Sequence, residues 1–364
     1  MANFDLKAHC SLLRYFFNQM NARNEVATIM MSKCQFFKPG KYKMIHLGKT
    51  IVYRGRVAET FLKNQALDCS KSLPIAKLRV KQLMSNAFTI QMHGAMTSEY
   101  VGDFALFTQG GDIKIFDTTN NVVLHFLRDS LEYNRLKVNH EVFSTFFLTP
   151  VIDFRPKQQL VIELMVNYKA PSSWKDDEYG MVLEKFSLSY VRYLRACSHT
   201  SKVRRSTLAD RWSISDELKN RVATLDYSYI IHLETTEWPY VQSHGDFWSG
   251  NVLLDNGQSY IIDWEHSAEH VFFYDLLHFM LLQVLQMDDF SLLDAYFEGV
   301  YDEHMTRLFE AVGLTYLADK KDVYLMISIA ERVSKSGSLG DWQQRFLGLL
   351  ETIHNRYVLA NRKD

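Results

Sequence analysis

Residues 244–265 read HGDFWSGNVLLDNGQSYIIDWE and contain two short apolar runs, NVLL and YIID, on either side of an Asn-Gly pair. Asn-Gly between two such runs is a strong signal for a tight β-hairpin turn. A hairpin here would return Asp263, near the end of the second run, to a position beside Asn251, at the start of the first. Asp246 precedes Asn251 by five positions. The stretch therefore predicts that two carboxylates and an amide oxygen share one site.

These residue types suit the transfer of a phosphoryl group. Such transfer needs a carboxylate near the attacking hydroxyl, oxygen ligands for Mg²⁺ and a cradle for the phosphates. Asp246 provides the carboxylate, and Asn251 and Asp263 provide the hard oxygen ligands that Mg²⁺ prefers. A single His-x-Asp, or a single Asp at a strand end, is common and is more often structural. The hairpin that closes all three residues into one site favours the functional interpretation.

HGDFWSGN followed by IIDWE resembles the signature of the aminoglycoside phosphotransferase and choline kinase-like superfamily. The HGDxWSGN form is also similar to fructosamine kinases, and IDWE is similar to choline kinases and bacterial sugar kinases. The resemblance covers roughly residues 96–340. It implies a two-lobed protein-kinase-like α+β fold, with an antiparallel sheet in the N-lobe and a mostly helical C-lobe.

The resemblance also implies roles for residues of the second lobe. Asp246 would be the catalytic base, and Asn251 and Asp263 would bind magnesium. His244 would support the catalytic loop through hydrogen bonds. Asp275, in the run FFYDLLHF, matches an Asp that comes after the metal site and would tie the loop in place. The alternative for Asp275 is an acid at the start of a helix, where the dipole favours negative charge.

Local sequence patterns divide the rest of the chain into three parts. Residues 1–95 predict short strands and two helices and form either an accessory domain or an elaboration of the first lobe. Residues 96–168 predict strands at DFALFTQ, DIKIFD and VVLHFL, a helix from Ser130, which is a plausible cap, and strands at VIDF and QLVIELMV. Residues 169–364 are mostly helical by their periodicity, with strands only at NVLL and YIIDW.

The N-lobe of a kinase-like fold holds the nucleotide phosphates with a strand Lys that pairs with a helix Glu. Glu132 suits the helix position. If DIKIFD is the third strand, Lys114 is the phosphate clamp. If DIKIFD is the second strand, His125 takes the clamp position. The two alternatives stand evenly, although a His is mostly neutral at pH 7 and would bind phosphate more weakly.

Two further segments are candidates for nucleotide contact. Gly110 and Gly111 form the phosphate loop if DIKIFD is the second strand, although hairpin turns use the same residues. The strand QLVIELMV resembles the hinge segment whose backbone binds adenine, at Glu163 to Met165.

Residues around the predicted metal site are candidates for contact with the acceptor. Glu265 and Glu269 would suit a cationic substrate such as a choline or an amino sugar, and exposure to solvent is the equal alternative. Trp248 would stack on a sugar or contact a quaternary ammonium. Such aromatic residues more often belong to the core.

Composition limits the setting in which this protein works. The net charge of −1 over 364 residues gives no electrostatic case for nucleic acid or a membrane surface. The most apolar stretch, residues 272–287, is shorter than a membrane span and carries Asp275 and His278. Four cysteines without a CxxC pair argue against structural zinc and disulfides. We therefore expect a cytoplasmic protein without a membrane span.

Together these features predict an ATP- and Mg²⁺-dependent phosphotransferase that acts on a hydroxyl of a small molecule. A sugar, an amino sugar or a choline-like alcohol is the expected acceptor. The alternatives are a pseudokinase or nucleotide-binding scaffold without turnover and, third, an aminoglycoside antibiotic kinase. No APE-like activation segment comes after IIDWE, which disfavours a protein kinase.

Overall fold

The computed structural model describes residues 22–47, 49–54, 89–93, 98–108, 111–225, 227–334 and 341–358. The chain divides into two compact units. Unit 1 comprises Met1–Val138 and Pro150–Ser173, and unit 2 comprises Asn139–Thr149 and Trp174–Asp364. The helices predicted within residues 58–86 lie outside the described residues.

The described part of unit 1 contains an eight-stranded antiparallel sheet in the order β3-β1-β2-β4-β5-β6-β8-β7. The strands are β1 (Gly40–Leu47), β2 (Lys49–Tyr53), β3 (Thr89–Met92), β4 (Phe104–Phe107), β5 (Ile113–Asp117), β6 (Val122–Phe126), β7 (Ile152–Arg155) and β8 (Leu160–Leu164). Helix α1 (Ser130–Phe143) lies between β6 and β7 in sequence, and residues 22–32 are also helical. The predicted strands of residues 96–168 are therefore confirmed as β4 to β8.

Each central strand of this sheet has a buried face and a partly exposed face. Along β5, Ile113 and Ile115 are buried, and Lys114 and Phe116 between them are less so. This alternation reflects the two-residue period of a strand. The buried face packs against the helical residues 22–32 to form the core of unit 1.

Strands from both sides of residue 95, where the sequence suggested a boundary, belong to one sheet. Strand β2 pairs with β4 in the register Ile51↔Leu106, so β1 to β3 belong to the same sheet as β4 to β8. This pairing favours the interpretation of the described N-terminal strands as an elaboration of the first lobe. The boundary at 95 otherwise remains a prediction.

Helix α1 is capped by Asp129, and the prediction of Ser130 was one residue late. The Oδ1 atom of Asp129 accepts the backbone N–H groups of Leu131 at 3.0 Å and Glu132 at 2.9 Å. These bonds satisfy donors that the first turn of a helix leaves open. They also help to hold the pKa of Asp129 below its ordinary value.

Unit 2 is mostly helical. Its helices are α2 (Asp176–His199), α3 (Leu208–Arg211), α4 (Asp216–Leu225), α5 (Tyr227–Glu234), α6 (Tyr274–Met287), α7 (Ser291–Phe297), α8 (Asp302–Ala311), α9 (Lys321–Ser334) and α10 (Asp341–Ile353). Its strands are β9 (Arg204–Ser206), β10 (Trp238–Ser243), β11 (Val252–Asp255), β12 (Gln258–Ile261) and β13 (Ala268–Val271). The predicted α+β fold, with an antiparallel-sheet lobe and a mostly helical lobe, is confirmed.

The expectation of only two strands in the second lobe was wrong. Strand β10 pairs with β13 and with β9 to form a separate three-stranded sheet. Its sequence, WPYVQS, is almost wholly buried, so it lacks the alternation that marks a half-exposed strand. Helix α6 is the buried helix expected at residues 272–287. Among the described residues, none of the helices has the length and apolarity needed to cross a membrane.

Gly102 provides a test of the packing of unit 1. A Cβ atom at this position would lie 2.3 Å from Cγ2 of Ile115 and 2.7 Å from the carbonyl oxygen of Phe116. We expect Gly102→Ala to lower the free energy of unfolding by about 2 kcal/mol, because overpacking forces the neighbours apart. Urea unfolding followed by circular dichroism measures the change.

Gly348 provides the matched control. It is an exposed residue within α10, and an added Cβ would meet nothing within 4 Å. Gly348→Ala should raise stability by up to about 1 kcal/mol, since Ala is the better helix former. Equal stabilities of the two variants would contradict the packing described at Gly102.

Candidate functional site

The predicted hairpin is present as β11 and β12, with the register Val252↔Ile261. Asn256 and Gly257 have φ angles of 47° and 77°, the left-handed values that a type I′ turn requires at both central residues. Beyond the ladder, the N–H of Ile262 donates to the carbonyl of Asn251 at 3.1 Å. The hairpin therefore returns the chain to Asn251 one residue before Asp263.

Asn251 is tied to Asp246 through its side-chain amide. Its Nδ2 donates to the backbone carbonyl of Asp246 at 2.8 Å and to Oδ2 of the same residue at 3.1 Å. Because both bonds use the amino end of the amide, the carbonyl oxygen Oδ1 of Asn251 is the end left to bind a cation. Asn251 is buried, so this orientation is held by packing as well as by hydrogen bonds.

The loop between these residues tolerates little change. Gly250 packs under the indole of Trp248, and a Cβ on Gly250 would lie 2.3 Å from that ring. Trp248 thus covers the loop that joins Asp246 to Asn251, and its side chain remains partly exposed. This places Trp248 beside the candidate base, where the sequence predicted a substrate contact.

Asp275 fixes the start of the loop that carries Asp246. Its carboxylate is fully buried and accepts the backbone N–H groups of His244 at 2.7 Å and Gly245 at 2.9 Å. Burial raises the pKa of Asp275, against the opposing effect of the His244 and His270 rings and the two N–H donors. The geometry is that of the structural tie that was predicted for Asp275.

Gly245 allows this approach because its φ of 79° is in the left-handed region. A Cβ on Gly245 would also lie 2.8 Å from the carbonyl oxygen of His266 and 3.0 Å from Nε2 of His270. Both the backbone conformation and the space therefore require glycine between His244 and Asp246.

His244 connects the loop to the end of β12. Its Nε2 lies 2.8 Å from the carbonyl oxygen of Ile262, and its Nδ1 accepts the backbone N–H of Asp246 at 3.3 Å. With Nδ1 as an acceptor, the ring proton is on Nε2, which donates to Ile262. The ring thus orients Asp246 and the residue before Asp263 at once, as the predicted supporting role requires.

Two basic side chains that the sequence did not identify face Asp246. Nε2 of His278, on α6, lies 3.8 Å from Oδ1 of Asp246, and Nη2 of Arg332, on α9, lies 3.9 Å from the same atom. Burial alone would raise the pKa of Asp246. His278, Arg332 and His244 outweigh it and hold that pKa below the ordinary value, so Asp246 is a carboxylate at neutral pH.

His278 differs from Arg332 in charge. Burial lowers the pKa of His278 to about 4, so the ring is neutral at pH 7. The sequence carried one usable signal for this residue, a His one turn after Asp275 in an apolar helix. Arg332 is 86 positions after Asp246 in a segment without a motif, and only the packing of α9 brings it here.

A buried His–Glu pair lies next to this cluster. Nδ1 of His270 is 3.0 Å from Oε1 of Glu331, and Oε2 of Glu331 accepts the N–H of Val271 at 3.3 Å. The ring of Tyr274 stacks on His270 at 4.1 Å and on His278 at 5.0 Å. Glu331 thereby anchors α9 to β13 directly beside Arg332.

The two acidic residues that were predicted to contact the substrate differ in their surroundings. Oε2 of Glu269 pairs with Arg211 at 2.6 Å and with Arg204 at 3.8 Å, so its charge is already balanced. Glu265 is buried. Their contact with a cationic acceptor stays a prediction, and its electrostatic basis is weakened at Glu269.

In unit 1, the two alternatives for the phosphate clamp are neighbours. Lys114 lies directly opposite His125 in the register of β5 and β6, on the partly exposed face of β5. Cross-strand partners share one face of a sheet. Strands β4, β5 and β6 directly precede α1 in the sequence, and DIKIFD contains β5, the second of these three. This is the arrangement under which His125 takes the clamp position.

Glu132, which was predicted to pair with the Lys that holds the phosphates, pairs with Arg128 in this structure. Oε1 of Glu132 binds Arg128 at 2.6 Å, and Nδ1 of His125 is 3.6 Å from Oε1 of Glu163. Gly111 has a φ of 93° at the turn between β4 and β5. Gly110 lies outside the described residues. These positions leave the phosphate-loop role of the glycines a prediction.

The predicted adenine contact at Glu163 to Met165 falls where the backbone is already engaged. Glu163 pairs with both β6 and β7. The N–H of Met165 donates to the carbonyl of Asn121 at 2.9 Å, and the carbonyl of Met165 accepts from Nδ2 of Asn121 at 3.1 Å. Adenine would have to share or replace these bonds, so this contact also stays a prediction.

The side-chain oxygens near Asp246 suit Mg²⁺ only if a bound phosphate group and water supply the remaining oxygen ligands. Among the described residues, no group of three or more His, Cys, Asp or Glu side chains is arranged to hold a metal ion. Asn251 and Asp263 offer two oxygen donors at the end of the hairpin. Mg²⁺ in phosphotransferases is commonly bound by one or two such side chains together with phosphate oxygens and water, so the residues present fit that ion.

Comparison with known proteins supports a relation to phosphotransferases. Residues 175–309 match the family model described as the phosphotransferase enzyme family. No curated protein sequence matches the chain. The match includes HGDFWSGN, IIDWE and Asp275, so the resemblance predicted from these residues is confirmed.

The solved structures that match this chain share little sequence with it. A choline/ethanolamine kinase family protein from Mesorhizobium loti is 11% identical, with 66% of this chain and 83% of that chain covered and a TM-score of 0.39. Choline kinase LicA from Streptococcus pneumoniae is 12% identical, with 78% and 100% covered and a TM-score of 0.39. A thermostable mutant of aminoglycoside phosphotransferase APH(4)-Ia is 16% identical, with 67% and 90% covered and a TM-score of 0.43.

The depressed pKa of His278 predicts a loss of stability in acid. An unfolded chain protonates this ring near pH 6.5, whereas the folded chain does so only near pH 4. The neutral ring therefore contributes stability that is complete above pH 6.5 and is lost as the pH falls to 4. The loss amounts to about 3 kcal/mol.

His278→Phe should abolish that part of the pH dependence, because the new ring keeps the stacking between Tyr274 and Phe346. Urea unfolding at pH 7 and pH 4 gives the slope for each protein. His266→Gln, at an exposed His, should keep the wild-type slope. A His278→Phe slope equal to that of the wild type would contradict the neutral state of this ring.

Proposed function

We propose that this chain, of which residues 175–309 match the model of the phosphotransferase enzyme family, transfers the γ-phosphoryl group of ATP to a hydroxyl of a small molecule. The observation that carries the proposal is the closure of Asp246, Asn251 and the end of β12 into one site by hydrogen bonds and a hairpin. A structural hairpin alone has no need for a partly exposed carboxylate at this point.

In the proposed mechanism, Asp246 orients the acceptor hydroxyl and accepts its proton. Its Oδ2 is held by Asn251 at 3.1 Å, so Oδ1 is the atom that receives the hydroxyl. The hydroxyl oxygen forms the new bond to phosphorus, the bond from phosphorus to the ADP oxygen breaks, and the proton stays on Asp246 until it passes to water. A carboxylate that is ionised at neutral pH is ready for this step.

Magnesium, when bound, would neutralise the charge of the transferring phosphoryl group. Oδ1 of Asn251 and the carboxylate of Asp263 would hold it. His244 positions both sides of this arrangement, since it contacts the backbone of Asp246 and of Ile262. Asp275 keeps the loop closed through the N–H groups of His244 and Gly245.

For the acceptor, the observed charges favour a sugar-like alcohol over a cation. The case for an amino sugar or a choline-like alcohol depended on free acidic groups, and Glu269 is paired with Arg211. Trp248 beside Asp246 suits the apolar face of a sugar ring. The test is ATP consumption with Mg²⁺ against sugars, amino sugars, choline and aminoglycosides, with the product identified by the mass of one added phosphate.

Asp246→Asn should remove phosphoryl transfer by at least a thousandfold and leave Mg·ATP affinity within about threefold, because only the proton acceptor is lost. Single-turnover transfer and calorimetric titration of Mg·ATP measure the two quantities. The matched control is Asp255→Asn, at the turn end of the same hairpin, which should keep wild-type transfer. An active Asp246→Asn enzyme would remove Asp246 from the role of base. Nucleotide binding without transfer to any acceptor in the wild type would instead favour a pseudokinase.

The strand order favours His125 as the phosphate clamp, but we propose Lys114, its cross-strand partner on the same sheet face, because an ammonium binds phosphate more strongly than a mostly neutral imidazole. Lys114→Met should weaken Mg·ATP binding at least tenfold, whereas His125→Gln should weaken it less than threefold. Titration of a fluorescent ATP analogue measures both affinities. The reverse order would assign the clamp to His125.

A further inference from the structure

The oxygen atoms of Asp246 differ in their surroundings. Oδ2 is hydrogen-bonded to Asn251, whereas Oδ1 faces His278 at 3.8 Å and Arg332 at 3.9 Å. Both distances exceed the usual limit of about 3.2 Å for a hydrogen bond. Two donors therefore face the reacting oxygen without bonding to it, and a hydroxyl that bonds to the oxygen and to both donors would complete this arrangement.

His278 points to a ligand at this position. Its side chain is 1% exposed, and neither ring nitrogen has a hydrogen-bond partner within the described part of the chain. A buried polar group without a partner is costly and rare in native proteins. The stacking of its ring on Tyr274 and Phe346 holds Nε2 toward Asp246. A hydroxyl bound at Oδ1 would supply the missing partner.

Arg332 adds charge to the same place. Its side chain is 38% exposed, so the guanidinium is open to a solute. The planar fork of a guanidinium matches a carboxylate or a phosphate with two parallel hydrogen bonds. The contact with Asp246, at 3.9 Å, does not use that fork, and Tyr274 also interacts with this guanidinium. Glu331, the preceding residue, is buried against His270, which fixes the helix that presents Arg332.

Apart from Asp246 and the candidate metal ligand Asp263, three acidic groups described around this site are already engaged. Glu331 is paired with His270, and Glu269 is paired with Arg211. Asp275 is fully buried beneath the loop and bonded to two N–H groups. With Asp263 assigned to Mg²⁺, a cationic acceptor would meet Arg332 without a further carboxylate to offset its charge, and an anionic acceptor would meet a partly exposed guanidinium.

We propose that the acceptor carries an anionic group, a carboxylate or a phosphate ester, close to the hydroxyl that is phosphorylated. Arg332 binds the anionic group, and Nε2 of His278 contacts the hydroxyl at Oδ1 of Asp246. This inference rests on the proposed phosphotransferase function and narrows its substrate class. Arg332 is thus the residue that determines specificity, and Asp246 remains the base.

The experiment uses matched acceptors that differ in charge. Glycerol is compared with D-glycerate and glycerol 3-phosphate, ribose with ribose 5-phosphate, and choline and ethanolamine serve as cations. Phosphorylation of each is followed by product mass, and kcat and KM are measured in the full chain with Mg·ATP. We expect at least one anionic acceptor to exceed its neutral counterpart in kcat/KM by tenfold or more. Comparison of D-glycerate with glycerol 3-phosphate shows whether a carboxylate or a phosphate ester is preferred.

Arg332→Gln should reduce that preference to less than twofold, mainly through a higher KM for the anionic acceptor, and should lower kcat/KM for the neutral acceptor by a much smaller factor. The matched control is Arg307→Gln, which removes an Arg of similar exposure on α8 that pairs with Glu303. It should keep the wild-type preference. A purely structural role of Arg332 would lower the rates for charged and neutral acceptors alike.

The negative outcomes distinguish a failure of the anionic-acceptor inference from a failure of the proposed phosphotransferase function. A neutral or cationic acceptor that is preferred over its anionic counterpart overturns the present inference and supports the function. A preference that survives in Arg332→Gln also overturns it. If Mg·ATP binds and no anionic acceptor is phosphorylated, the inference is again overturned. If the wild type binds no Mg·ATP, the proposed function itself fails.

Discussion

The carboxylate of Asp275 and the two backbone N–H groups above it, from His244 and Gly245, form the interaction on which the site depends. Hydrogen bonds to a charged group contribute about 1.5–3 kcal/mol each. A buried carboxylate without them would be strongly unfavourable. The chain at His244 and Gly245 therefore has little freedom, and the left-handed turn at Gly245 sets the direction in which Asp246 leaves it.

A second layer of contacts transmits this constraint to the hairpin. The ring of His244 joins Asp246 to the carbonyl of Ile262, and the amide of Asn251 joins the hairpin back to Asp246. Each contact uses a polar atom that would otherwise be buried without a partner. Asp246 and Asn251 are thus held by backbone and amide hydrogen bonds, and the hairpin places Asp263 one residue beyond Ile262.

The electrostatic character of the site around Asp246 comes from side chains on two helices, α6 and α9, that lie outside the loop of residues 244–251. His278 arrives on α6, one turn beyond Asp275, and Arg332 arrives on α9 beside the buried pair of Glu331 and His270. Arg332 helps to keep Asp246 ionised, since a cation at this distance stabilises the carboxylate. The same cation sets a charge preference for any group that binds at Asp246, which links the state of the base to the identity of the acceptor.

The sequence alone determined the hairpin, the closeness of Asp246 and Asn251, and the buried helix that carries Asp275. These features depend on neighbours within about 30 residues, and their signals are local: an Asn-Gly turn, two apolar runs and an acid in an apolar helix. The meander before α1 was predictable for the same reason. The cap at Asp129 was missed by one residue because Asp and Ser side chains both accept the N–H groups of a first turn.

Only the tertiary structure decided the surroundings of these residues. Strand β10 is buried on both faces and has no alternation to reveal it, and β1 to β3 join the main sheet through pairings that no periodicity encodes. Arg332 reaches Asp246, and Arg211 balances Glu269, across separations of 86 and 58 positions. Such pairs result from helix packing, in which a contact is set by the geometry of the whole core. For that reason the chemical groups of the site could be predicted from the sequence, whereas the charged side chains that pack around them could not.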